Sequence, residues 1–407
     1  MLSGQLKRLP ALFGIRRLQA PDSVSAHPGA TLAMFVGRIG IAVRIAAAGV
    51  GLMSLGGCAG LGYYWQSVSG HMQMINAARP VQDWLADPGT PETLRQRLAL
   101  SQRIRSFAVT ELKLPDNASY RSYADLHRSA VVWNVVAAPE FSLTPKTSCF
   151  PVAGCVHYRG YFSEADARRE AEKLTTQGLE VSIYGVPAYS TLGWMNWAGG
   201  DPLLSTFIRY PEGELARIIF HELAHQVTYA SGDTTFNESF ASTVERLGSR
   251  RWLTQHANEA ARRDYAALER RRHDFRALAF ATRRQLADIY NEKEAVAQDV
   301  RLDTATKSIA KAKVMQNFRD NYAALKMSWG GFAGYDPWVA GANNASFAVQ
   351  AAYDEMVPAF EALFERHGGN WRRFYDSVKQ LARLPKEERI KALETGSADH
   401  QGTPPHG

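Results

Sequence analysis

Apolar side chains recur along this chain at two spacings, and each spacing predicts a different element. Across residues 62–112, Leu94, Leu98, Ile104, Phe107 and Leu112 return at near-helical intervals, and Asp87-Pro88-Gly89-Thr90-Pro91 breaks the run before them. Residues 117–120 read as a turn. The β-branched run Val131-Val132-Trp133-Asn134-Val135-Val136 predicts a strand, as do residues 179–186 after the break at Gly178. Between them, residues 163–177 have a helical stripe, with Ser163 as N-cap and Glu164 and Asp166 near the positive end. Residues 131–186 therefore predict a small α+β part inside a mainly α chain.

Residues 188–210 read as loop and strand. Pro211 and Gly213 open a helix expected to run to about Tyr229, and a polar connection, 231–235, leads to a second helix from about Phe236 to Leu253. Residues 254–327 carry many charges and almost no Gly or Pro, which predicts a long helical hairpin broken near Asp303 or Lys307. Two further helices are expected at 344–366 and 371–384, the second stopped by Pro385. The tail, 397–407, reads as disordered. No repeat of solenoid type is present.

The amino-terminal pattern differs from all of this. Arg38 and Arg44 precede an apolar, charge-free run at 45–57, too short to span a bilayer convincingly, and small residues close it. Leu55-Gly56-Gly57-Cys58 resembles a bacterial lipobox. That resemblance implies that 1–57 is a leader, that Cys58 carries acyl chains as the first mature residue, and that the protein is held to the envelope facing the periplasm. Ala59 after the cysteine favours the outer over the inner membrane. Residues 1–33 precede a complete signal, so Met34 is a candidate start.

Charge changes meaning once this segment is set aside. The 407 residues carry a formal charge of +7, of which +5 sits in residues 1–57. The remainder is close to neutral, so no nucleic-acid surface is implied. The mean hydropathy of -0.27 excludes a polytopic membrane protein. The three cysteines are Cys58, Cys149 and Cys155. With Cys58 acylated, an exported Cys149 and Cys155 are expected to pair across Phe-Pro-Val-Ala-Gly, the alternative being a zinc site that adds His157.

The chemistry sits in Ile218-Ile219-Phe220-His221-Glu222-Leu223-Ala224-His225-Gln226. Two histidines four apart lie on one helical face and can share a Zn²⁺ ion, while Glu222 is offset around the helix and suits a general base: the HExxH arrangement of zinc peptidases. A His-(Asp/Glu)-x-x-His string is expected by chance only about 0.03 times in this composition. Apolar Leu215, Ile218, Ile219, Leu223 and Val227 mark a buried helix, where unliganded histidines are costly. Glu238 on the next helix is the expected third ligand if a turn through Gly232 folds the two helices antiparallel. Glu245, seven residues on, is the alternative ligand or a partner for a histidine N–H. Asp233 is a weaker supporting candidate.

His221–His225 followed by Asn237-Glu238 resembles the gluzincin metallopeptidases. More specifically, AYSTLGW, DPLLSTFIRYPEGELARIIFHELAHQ, TTFNESFASTVE, VVWNVVAAPEFSL, KAKVMQNFRDNYAALKMSWGG and NNASFAVQAAYDEMVPAFEAL resemble a bacterial family of predicted aminopeptidases, over about residues 63–393. The resemblance implies an exported lipoprotein with a zincin-like core, one Zn²⁺ and a peptide substrate, filling residues 58–396 as one metallopeptidase domain. Only 12 residues separate His225 from Glu238, a short connection for gluzincins. Ser242 stands where some members have an aspartate supporting a zinc histidine, and no Gly-x-Met-Glu-Asn string marks an amine anchor. Tyr210 is the expected oxyanion donor. Residues 190–194, with Gly193, form a candidate edge strand for substrate, and Asn343, Asn344 and Tyr353 are further candidate substrate contacts. An endopeptidase, a peptidoglycan-peptide hydrolase and a non-catalytic envelope scaffold stay open as alternatives. The sequence sets no oligomeric state.

Overall fold

The computed structural model describes residues 58–150, 154–188, 190–191, 199–290, 303–349 and 356–398. The chain divides into two compact units, Met1–Tyr63 and Tyr64–Gly407. In the first, the described residues are the opening of helix α1, Cys58–Asn76. The second is mainly helical, with three small sheets among the described residues.

Strand β1, Arg79–Pro80, leads into α2, Val81–Ala86, and α3, Glu92–Thr110. α3 starts where Pro91 ends the break and buries Leu98, Ile104 and Phe107. β2, Ser122–Ala124, pairs antiparallel with β1 and parallel with β8, Leu203–Leu204. The α+β part is a sheet of order β6-β3-β7, with β3 Val132–Pro139, β6 Arg159–Tyr161 and β7 Leu179–Val186. β3 and β7 run antiparallel from Val132↔Val186 to Pro139↔Leu179. Helix α4, Glu164–Thr175, packs on this sheet, and Ser163 caps it by accepting from Asp166 N–H. A second helix, α10, Asn344–Val349, also packs on β3 and β7, with Ala345 against Val136 and Ala138. Helices against β3 explain why its residues read as a continuous apolar run rather than an alternation. The hairpin β4 (Ser148–Phe150) and β5 (Gly154–Val156) holds Cys149 opposite Cys155, joined by a disulfide. Neither thiol is then free for the alternative zinc site with His157.

The main core joins α3 to α5 (Glu212–His225), α6 (Thr234–His256), α11 (Val357–Arg366) and α12 (Trp371–Ala382), through Phe107, Phe220, Phe236, Phe240, Phe360 and Phe374. α7 (Glu259–Tyr290) and α8 (Thr304–Ser328) pack together over a second, aromatic core of Phe275, Phe318, Trp338 and Phe347, to which α9 (Asp336–Ala340) contributes. Asp303 caps α8, so the expected hairpin is two helices, whose connection, 291–302, lies outside the described residues.

Three expectations change. α5 ends at His225 rather than near Tyr229, because Gln226 and Val227 donate to carbonyls three residues back and close the helix. The single helix expected at 344–366 is α10 and α11, with 350–355 outside the described residues. A helix not anticipated, α13 (Lys386–Ala398), follows Pro385 and includes the first two residues of the expected tail. Its charged sequence reads as solvated, yet Arg389 is buried, pairs with Asp233 at 2.5 Å and donates to the Leu384 carbonyl at 2.8 Å, and Leu393 is buried beside it.

Candidate metal centre

α5 and α6 lie antiparallel, since Arg217 and His221 on α5 face Glu245 and Glu238 on α6 in reverse order. The turn between them needs Gly232, whose φ of +75° is in the left-handed region. Asn237 closes it by accepting from Ala230 N–H and donating to Ala230 C=O, both at 2.8 Å. Asp233 caps α6 through Phe236 N–H and pairs with Arg389. That occupies the side chain considered as support for a histidine, so Asp233 is structural.

The antiparallel pair brings His221, His225 and Glu238 together, each offering one ligand atom within 4.8 Å of the others. His221 Nε2 lies 3.1 Å from His225 Nε2 and 3.3 Å from a Glu238 carboxylate oxygen, and His225 Nε2 lies 3.7 Å from the other. Ligands bonded to one ion at 2.0–2.1 Å in a tetrahedron stand about 3.4 Å apart, close to the 3.1 Å between the two imidazole nitrogens and the 3.3 Å from His221 to one Glu238 oxygen. The residues therefore fit a divalent ion of zinc's size.

Charge points the same way. At His221, burial opposes a positive charge, but hydrogen bonds to Glu238 and Glu245 and their charges hold the imidazole well above its ordinary pKa. At His225, burial and the neighbouring His221 charge press the pKa down to about 4. Burial works to raise Glu238 and Glu245, yet both carboxyls are held low: Glu238 chiefly by its hydrogen bond to His221, Glu245 chiefly by Arg217. The cluster thus favours one positive charge among its carboxylates, the balance a bound cation supplies.

Glu245 is not a member of the three-atom group. It accepts from His221 Nδ1 at 3.0 Å and from Arg217 Nε at 3.1 Å, fixing the ring so that Nε2 faces the group. Arg217 also meets Glu214, and Glu214 meets Arg272 of α7 at 2.7 Å. His225 Nδ1 is buried without a hydrogen-bond partner. Ser242 is buried too, and among the described residues no hydrogen bond joins it to either imidazole.

Glu222 stands one residue round the helix from His221. Burial pushes its carboxyl up to about 7; the His221 charge opposes this, and Glu238 and Asp201 reinforce it. Asp201 and Tyr120 are neighbours the sequence did not single out. Asp201 is fully buried and accepts from Thr191 N–H at 3.0 Å, Thr191 Oγ1 at 2.8 Å and Gln226 Nε2 at 3.3 Å. Gln226 also accepts from Asn117 Nδ2 at 2.6 Å, so the end of α5 is tied to the 117–120 turn. Within that turn Tyr120 has φ +64°, a costly conformation for a bulky residue. Its N–H donates to Asp201 C=O at 2.7 Å and its carbonyl accepts from Gln102 at 2.9 Å, which hold it there. The buried phenol has no hydrogen-bond partner, and burial together with the Glu222 and Asp201 charges raises its pKa well above normal. Gly200 permits this arrangement: a Cβ there would stand 2.5 Å from Ser119 N. The Gly199-Gly200-Asp201-Pro202 string was the available sequence signal.

Several expected site residues lie elsewhere. Tyr210 precedes α5, whose first residue, Glu212, is nine residues and about 14 Å of helical rise from His221, so Tyr210 is at the wrong end of the helix. Its carbonyl instead accepts from Arg97. Asn343 donates to Val181 C=O at 2.8 Å and accepts from Ser346 N–H; Asn344 donates to the carbonyls of Pro139 and Glu140 and accepts from Tyr290. Those groups are spent tying α10 to β3 and β7, not left for substrate. Gly193 and Tyr353 lie outside the described residues, and of Cys58 only the backbone, the first residue of α1, is described.

A family model described as Putative aminopeptidase matches residues 62–393. No curated protein and no solved structure matches the chain.

Proposed function

The chain belongs to the Putative aminopeptidase family, and from that premise we propose that it is a zinc metallopeptidase with a zincin-like core, held by lipid on Cys58 at the periplasmic side of the envelope, at the outer membrane in preference to the inner. The observation that carries the catalytic reading is the convergence of His221, His225 and Glu238 beside Glu222. His221, His225 and Glu238 would hold one Zn²⁺, which when bound polarises water and the scissile carbonyl.

The remaining work falls to the chain's own groups. Glu222, in surroundings that make its carboxylate a stronger base than an exposed one, takes a proton from the attacking water and returns it to the leaving amine. Glu245, fixed by Arg217, keeps the His221 ring in one orientation. The lipid anchor is supported by Leu55-Gly56-Gly57-Cys58 after a charge-free apolar run.

The test is hydrolysis of matched peptides with free and acetylated amino termini, before and after chelation. Cleavage restricted to free-amine peptides and abolished by the chelator supports an aminopeptidase. Cleavage of both forms moves the reading to an endopeptidase, and chelator-resistant cleavage contradicts it.

A further inference from the structure

The α1 segment from Trp65 to Met72 presents an apolar surface that the core does not use. Trp65, Val68 and Met72 are 75%, 59% and 46% exposed, a concentration of large exposed apolar side chains within eight residues. At 3.6 residues per turn they fall within about 60° of arc. The opposite side of the helix does the packing. There Gln66 donates to Gly160 C=O and accepts from Phe162 N–H, Gly70 lies against the Phe162 ring, and Met74 is buried. A helix already docked by one face has no folding reason to place a tryptophan, a valine and a methionine together on the other.

Chemistry selects the occupant. No Asp, Glu, Lys or Arg occurs from Cys58 to Ala78, so the helix itself brings to this face none of the charges that keep an exposed helix in water. Tryptophan is the side chain most at home at the boundary of headgroups and acyl chains. No helix among the described residues is long and apolar enough to cross a membrane, so such a face lies on a bilayer rather than through it. Chain length supplies the proximity. Seven residues lead from Cys58 to Trp65, at most about 25 Å fully extended, so acyl chains on Cys58 keep this face within reach of the lipid surface whatever path those residues take.

We propose that the Trp65–Val68–Met72 face of α1 seats in the headgroup region of the membrane that anchors the protein. The proposal rests on the anchoring reading above. It gives the anchor a second membrane contact and so a fixed orientation for the unit it carries, instead of a free tether.

The test uses the full chain expressed with its leader and reconstituted in phosphatidylethanolamine–phosphatidylglycerol vesicles, with acylation read by mass spectrometry of the amino-terminal peptide. Val68→Cys and, as an exposed apolar control on α8, Ile309→Cys carry a polarity-sensitive fluorophore; the native cysteines are acylated or in the disulfide. Quenching by doxyl lipid several-fold stronger at 68 than at 309, and reduced by adding Trp65→Ser and Met72→Ser, is the expected result. Acylated, vesicle-bound protein with equal weak quenching at both positions overturns the membrane face and leaves the anchor standing. Probe–probe self-quenching at 68 without lipid quenching assigns the face to a second copy and overturns it too. Absence of acylation, with protein that fails to float with vesicles, overturns the anchor and the face together.

Discussion

The α5–α6 pair and the α7–α8 pair are both packed antiparallel helices, yet they treat charge in opposite ways. Between α7 and α8 the buried positions are Phe275, Ala279, Thr282, Leu286, Met315, Phe318 and Tyr322, none of them charged, and charges such as Arg263 and Glu259 stand in solvent. Between α5 and α6 the buried positions include His225 and Glu245, with Arg217 nearly so. Interior charge is expensive unless paired. The first interface carries no charge, and the second keeps imidazoles, carboxylates and a guanidinium paired with one another.

The largest break in that comparison is expected from Glu222→Gln. It keeps the shape of α5 and removes only the base, so turnover should fall by about 10²- to 10⁴-fold with metal content unchanged. Equal turnover would reject the general-base role. A matched pair comes next. Phe318→Ala in the α7–α8 core and Arg217→Met in the α5–α6 core should each cost about 3–5 kcal/mol in denaturant unfolding, one by a cavity and the other by leaving Glu245 unpaired. Only Arg217→Met should also weaken zinc affinity in chelator competition, because Arg217 acts through Glu245 on His221. Equal zinc affinities in both variants would reduce Arg217 to a structural role.

Glu245→Gln sharpens the same point through pH. The Glu245 carboxyl is held below its ordinary value in the folded chain, so its contribution is fully present above the unfolded carboxylate range and is lost as pH falls through the lowered value. The stability gap between wild type and Glu245→Gln should therefore be constant down to about pH 5 and narrow below it. A gap that widens in acid would contradict the pairing. The smallest effect is expected from Arg263→Ala on exposed α7, within about 0.5 kcal/mol, because its partner Glu259 is equally solvated.

Legibility in the sequence followed the same divide. The three-atom group could be read from His221, His225 and Glu238 because helical periodicity fixes the first two on one face and Gly232 signals the return. Ser163 was legible as a cap because capping is local. Tyr120 and Asp201 were not, because the 117–120 turn reaches α5 through hydrogen bonds between segments 80 to 110 residues apart, and only the glycines at 199–200 hint at close backbone approach. Tyr210 misled by nearness in sequence, since a helix carries its two ends apart. Asn343 and Asn344 misled because an amide that ties a helix to a sheet and an amide that binds a peptide look alike before the partner is seen. α13 was missed because its charged residues conceal Arg389, whose partner Asp233 lies 156 residues away.

Two imidazoles and one carboxylate from α5 and α6 are proposed to bind a single divalent ion. Elemental analysis of the full chain, purified after zinc supplementation and set beside His225→Ala with unchanged helical circular dichroism, tests it most directly. Close to one zinc per wild-type chain and almost none in the variant is the expected result. A wild-type chain that stays metal-free, or a variant that retains the same zinc, would contradict it.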